Sequence, residues 1–110
     1  MSKEKMIPLP TQELFESFYK TVSRPTLIYF TASWCGPCKR LDWDVLFDHL
    51  KATEVYKCDV SENTYTPGFC GVKSIPAFMM LRPGQAPASF QSSDTALVAE
   101  WLLKQSLPNE

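Results

Sequence analysis

Six consecutive residues with strand-forming side chains, Thr26-Leu27-Ile28-Tyr29-Phe30-Thr31, are followed after only three residues by Cys35, where an apolar pattern of helical period begins. β-branched and aromatic residues in an unbroken run suit a central strand buried on both faces. Leu41, Val45, Leu46 and Leu50 then share one face of a predicted helix from about Cys35 to Leu50. A strand that turns so directly into a helix belongs to an α/β architecture, and it places Cys35 and Cys38 at the helix start.

The flanking segments extend that unit. Pro10-Thr11 followed by Gln12 and Glu13 predicts a helix start capped by Thr11, with Leu14, Phe15, Phe18 and Val22 at helical spacing and Ser23-Arg24-Pro25 as its end. Val55 to Val60 reads as the next strand, and Asn63 to Phe69 as a short helix between Glu62 and Gly71. Ala77 to Leu81 is an apolar strand ended by Arg82-Pro83-Gly84-Gln85, a turn that invites pairing with Ala88-Ser89-Phe90-Gln91. Asp94 then caps a closing helix with Leu97, Val98, Trp101 and Leu102 inward. With a first strand from Lys5 to Leu9, the order is βαβαβ followed by ββα. This predicts one α/β domain over residues 1–110, built on a central mixed sheet of four to five strands with helices on both faces. Leu107 to Glu110 reads as a frayed tail.

Charge narrows the possible partners. Eleven Lys and Arg against twelve Asp and Glu leave a net charge of -1, so no broad basic footprint marks the chain for nucleic acid or an anionic membrane. No apolar run approaches the roughly 20 residues of a spanning helix. The N-terminal Met1-Ser2-Lys3-Glu4-Lys5 leads into Ile7-Pro8-Leu9-Pro10 rather than an apolar core, which differs from a secretory signal. The expectation is a cytoplasmic monomer. Its four cysteines then read as reactive or buried thiols rather than as a disulfide framework.

Cys35 and Cys38 carry the chemistry. A thiol attacks a disulfide as thiolate, and a helix start favours negative sulfur through its unpaired N–H groups and positive dipole end. Cys35 is therefore the expected nucleophile, and Cys38, one turn on, the thiol that resolves a mixed disulfide. Gly36 admits a partner's backbone, and Pro37 loses little by lacking an N–H in the first turn. A bare Cys-x-x-Cys also serves zinc sites. Zinc would need a second suitably placed pair, whereas Cys58 and Cys70 are separated by eleven residues and fall on different predicted elements; no metal site is expected.

Trp34-Cys35-Gly36-Pro37-Cys38-Lys39 resembles the active-site signature of thioredoxins, and Gly71-Val72-Lys73-Ser74-Ile75-Pro76 before an apolar strand resembles that family's second landmark. The resemblance in element order runs from about Lys5 to Gln105. It implies a thioredoxin-like fold, a cis Pro76 facing the redox pair, and backbone hydrogen bonds from Ile75 to a bound peptide. Trp34, Gly36, Pro37, Ile75 and Pro76 would form the substrate surface. The implied activity is protein-disulfide reduction through a Cys35/Cys38 cycle without a bound cofactor. Disulfide-containing proteins would be its substrates, and a thioredoxin-reductase-type or dithiol donor would supply electrons. An accessory binding subunit on the same scaffold is the competing reading.

Two positions depart from that pattern. The family's buried strand aspartate is replaced by Tyr29, and the proline that kinks its long helix by Trp43, so a straighter helix is expected. Asp42 lies four residues beyond Cys38 and seven beyond Cys35, which on a continuous helix puts all three on one face. Asp42 is accordingly the candidate local base. An acid here resembles the C-terminal domain of bacterial thiol:disulfide interchange reductases. Lys57, Asp59 and His49 read as surface residues, and Cys58 and Cys70 as buried, inert thiols.

Overall fold

The computed structural model describes residues 5–106, and the expected tail from Leu107 to Glu110 lies outside the described residues. Along the chain run β1 (Met6–Pro8), α1 (Gln12–Phe18), β2 (Thr26–Thr31), a 3-10 turn (Pro37–Arg40), α2 (Trp43–Phe47), β3 (Glu54–Asp59), α3 (Tyr65–Phe69), β4 (Ala77–Leu81), β5 (Ala88–Gln91) and α4 (Thr95–Gln105). The strands form one sheet in the order β1-β3-β2-β4-β5. β3 pairs parallel with both β1 and β2, whereas β2–β4 and β4–β5 are antiparallel. The mixed sheet expected from the element order is therefore present, with five strands among the described residues.

All six residues of β2 are buried, as its unbroken apolar run requires of a strand covered on both faces. Alternate residues then serve two cores. Leu27 and Tyr29 join Val55, Phe78 and Met80 beneath Trp43, Leu46, Phe47, Val98 and Leu102 of α2 and α4. Ile28 and Phe30 join Cys58, Ala77 and Leu81 beneath Phe15 of α1, with Tyr65 and Cys70 packed alongside. Phe15, Phe30 and Phe78 are among the largest fully buried side chains, each worth about 1.5–3 kcal/mol of burial.

Three expectations need correction. The continuous helix from Cys35 to Leu50 is two pieces: Leu41 (ψ 133°) and Asp42 (ψ 98°) are extended between the 3-10 turn and α2. Trp43 at the place of a kinking proline thus marks a full interruption rather than a straighter helix. Asp42 causes the restart. Its Oδ1 accepts the N–H groups of Asp44 and Val45 at 3.1 and 3.4 Å, and its own N–H donates to Thr95 Oγ1 at 3.0 Å, tying the break to the start of α4.

α1 ends at Phe18 rather than at Val22, because the Thr21 N–H closes a three-residue turn onto the Phe18 carbonyl. Its predicted start holds, with Thr11 Oγ1 accepting the Leu14 N–H at 3.1 Å. Leu97 is exposed rather than inward. The buried stripe of α4 is Val98 and Leu102, four residues apart, with Leu97 one position off it in the turn that Asp94 caps.

Candidate active site

β2 ends at Thr31 on the edge of the two cores, and the chain turns through Ala32-Ser33-Trp34 into the cysteine pair. The Cys35 N–H donates to the Ala32 carbonyl at 3.1 Å, closing that turn. Pro37 opens the 3-10 turn, where its missing N–H costs nothing. Cys35 and Cys38 are joined by a disulfide, with their Cα atoms 5.4 Å apart. The Cys38 N–H points at Cys35 Sγ over 3.1 Å. A backbone donor aimed at this sulfur lowers the cost of negative charge on it.

Both sulfur-bearing residues are nearly covered, Cys35 at 3% exposure and Cys38 at 5%. They pack with Ala32, Val60 and Ile75. Trp34 stands beside them at 67% exposure, an aromatic surface left open next to the disulfide. The Ile75–Pro76 peptide is cis, as the resemblance implied, and Ile75 lies against the cysteines. The loop that carries it is held to β5 by the Ser74 hydroxyl, which donates to Gln91 Oε1 at 2.6 Å. That tether was not foreseen, since no sequence spacing links two polar residues so far apart in the chain.

The interruption at Leu41 and Asp42 removes the helical face on which Asp42 was placed with Cys35 and Cys38. The Asp42 carboxylate is instead the cap of α2. Tyr29, at the position of the missing aspartate, is buried to 4% exposure and packs on Trp43 and Phe78, with ring centroids 4.7 and 5.5 Å away. Burial pushes its phenol up, against smaller opposing hydrogen bonds with the side chains of Thr31 and Trp43. Tyr29 therefore remains neutral near pH 7.

Asp59 is a carboxylate on the neighbouring strand, in register with Thr31. The Ser61 hydroxyl holds it below the usual range, burial opposes, and backbone N–H groups including that of Ser33 assist. It fastens the turn after β2 to β3. Cys58 and Cys70 are free thiols. Burial pushes Cys58 up to about 12 and Cys70 up to about 11, so neither supplies a ready nucleophile. His49 and Lys57 are exposed. Among the described residues no group of three or more His, Cys, Asp or Glu side chains gathers as metal ligands would.

The comparisons with known proteins agree with this geometry. A sequence model of the thioredoxin family matches residues 6–104. Thioredoxin from Haemophilus influenzae is 35% identical over 80 residues, covering 68% of this chain and 73% of that protein. The Pseudomonas aeruginosa thioredoxin is 35% identical over 83 residues, covering 72% and 76%. A chloroplastic M-type thioredoxin of Brassica napus is 30% identical over 82 residues, 72% of this chain, but the match spans only 46% of that longer relative. Oxidised mitochondrial thioredoxin 3 of Saccharomyces cerevisiae superposes with a TM-score of 0.80 at 22% identity, covering 94% of this chain and 99% of the other; at that identity the likeness concerns the fold. With the cysteine pair, the cis proline and the sheet order in place, the chain belongs to the thioredoxin family of thiol:disulfide oxidoreductases.

Proposed function

We propose that this protein reduces disulfides in other proteins. The observation that carries the reading is the Cys35–Cys38 disulfide, which follows the exposed Trp34 in the chain and packs against Ile75 of the cis Ile75–Pro76 peptide. In the reduced protein the Cys35 thiolate attacks one sulfur of a substrate disulfide, and the other sulfur leaves as a thiolate. A mixed disulfide results. Cys38 then attacks Cys35 Sγ, the bond from Cys35 to the substrate breaks, and the substrate departs fully reduced. The two electrons come from the Cys35 and Cys38 thiols, which end as their disulfide.

The substrate segment lies across Trp34, Gly36, Pro37, Ile75 and Pro76, with the backbone of Ile75 available to pair with it. A flavin-dependent reductase or a small dithiol carrier restores the dithiol. The chain works as a monomer in the cytoplasm, where such donors keep thiols reduced. Reduced protein with Cys38→Ser should accumulate a mixed disulfide with a disulfide-bonded substrate, detectable by mass. Accumulation with Cys35→Ser and not with Cys38→Ser would reverse the assigned roles.

Tyr29 favours a second reading, because it removes a group on which the family's proton transfer relies. In that reading the fold serves as an accessory binding subunit. A Cys35→Ser, Cys38→Ser protein that keeps its cellular role would establish it.

A further inference from the structure

Arg82 directly follows β4, at the end of the sheet opposite the cysteines. β4 runs antiparallel to β2 with Leu81 beside Thr26, and β2 rises roughly 17 Å from Thr26 to Thr31 before the chain turns to Cys35. At the Thr26 end a cleft of about 360 Å³ opens among Pro25, Thr53, Met80, Arg82 and the α4 residues Leu102 and Gln105. Met80 and Leu102 are buried and give it an apolar floor. Arg82 is half-buried.

The guanidinium is held in place but not neutralised. Arg82 Nη1 donates to the Gln105 carbonyl at 3.0 Å, which ties the group to α4. Its Nε is buried with no hydrogen-bond partner, and a buried donor left unmet costs stability. No carboxylate lines the cleft among the described residues, and Glu54, next in the chain after Thr53, turns its carboxylate to Arg24 at 3.3 Å. None lines the neighbouring hollow of about 430 Å³ either, which shares Arg82, Pro83 and Gln85 and adds Lys20. A tethered cation with donors to spare, beside an apolar floor, matches a planar carboxylate carried on an apolar body.

We propose that this cleft is a second binding site, for a carboxylate on a compact apolar group, with Arg82 as its anion contact and Met80 and Leu102 as its floor. The carboxylate oxygens accept from the guanidinium, and the apolar body displaces water from the floor. A free aliphatic or aromatic acid offers this chemistry, and so does a peptide chain ending in an apolar residue. No residue lining the cleft packs with the cysteine pair, so binding here is independent of the redox state and stands apart from the reductase reading.

The test is a titration of the whole chain with hexanoate, followed by amide chemical shifts in NMR. Hexanoate should bind with a dissociation constant on the order of 1 mM and shift Thr53, Arg82 and Leu102. Hexanamide, which lacks the charge, should bind about tenfold more weakly, and Arg82→Met should weaken hexanoate by about the same factor. Arg24→Met, which removes a nearby cation outside the cleft, should leave binding unchanged. Ala52→Trp fills the cleft from an exposed turn without altering Arg82 and should abolish binding in a folded protein. An acetylated dipeptide ending in leucine separates the two sources: tighter binding than hexanoate assigns a chain end, weaker binding a free acid. No binding, equal binding of hexanamide, full affinity in Arg82→Met or in Ala52→Trp, or shifts centred on Trp34 and Ile75 would each overturn the proposal. Protein-disulfide turnover should be the same in Arg82→Met as in the wild type. A wild type that binds hexanoate but reduces no disulfide sinks the reductase reading alone.

Discussion

Cys35 and Cys58 are both almost fully buried, yet their surroundings prepare them for opposite chemistry. Cys35 has a backbone N–H aimed at its sulfur and sits beside an exposed tryptophan. Cys58 lies on the central sheet in an apolar core, and burial, aided by the nearby Cys70, Asp59 and Glu62, drives its thiol up to about 12. Alkylation of the native, fully reduced protein should therefore modify Cys35 first, Cys70 much later and Cys58 only on unfolding; mass mapping of partially alkylated protein checks the order. Tyr29 shows how a local departure from the family pattern is absorbed. Its ring packs on Trp43 and Phe78, so Tyr29→Ala should cost about 3–5 kcal/mol in urea unfolding. Tyr29→Phe should keep most of that packing.

At the scale of elements, the break between the 3-10 turn and α2 matters most. Asp42 as an N-cap predicts that Asp42→Ala destabilises by about 1 kcal/mol while Asp42→Asn is nearly neutral. A stable Asp42→Asn protein that resolves mixed disulfides slowly would instead give Asp42 the role of local base. The break was not legible because Leu41, Val45, Leu46 and Leu50 keep a helical period straight through it. Leu41, Leu46 and Leu50 are indeed buried, whereas Val45 is exposed, and periodicity does not reveal two extended residues between two short helical pieces. Where chemistry rather than period marked an end, the reading held. Thr11 and Asp94 cap as their side chains dictate, and Ala77–Leu81 and Ala88–Gln91 are bounded by the turn residues between them. The Cys-Gly-Pro-Cys segment and Ile75-Pro76 were legible as short motifs. The cleft beside Arg82 was not, because it joins Pro25, Thr53, Met80 and Leu102, which only the fold brings together.

For the whole molecule, the sheet divides the core in two and leaves the redox site at the end of the strand shared by both halves. Stability should follow the buried thiol at high pH. Cys58 has its folded value raised from 9.0 to about 12, so its contribution is complete below about pH 9 and is lost as pH rises toward 12. Thermal unfolding of the wild type should fall across that window more steeply than that of Cys58→Ala, measured relative to each protein's own value at pH 8. Parallel curves would assign the alkaline loss to other groups. The central claim is tested most directly by the turnover of a protein disulfide with a dithiol donor, wild type against Cys35→Ser. The account predicts robust turnover by the wild type and its loss in the variant. A folded, fully reduced wild type with no turnover above the donor alone would contradict it.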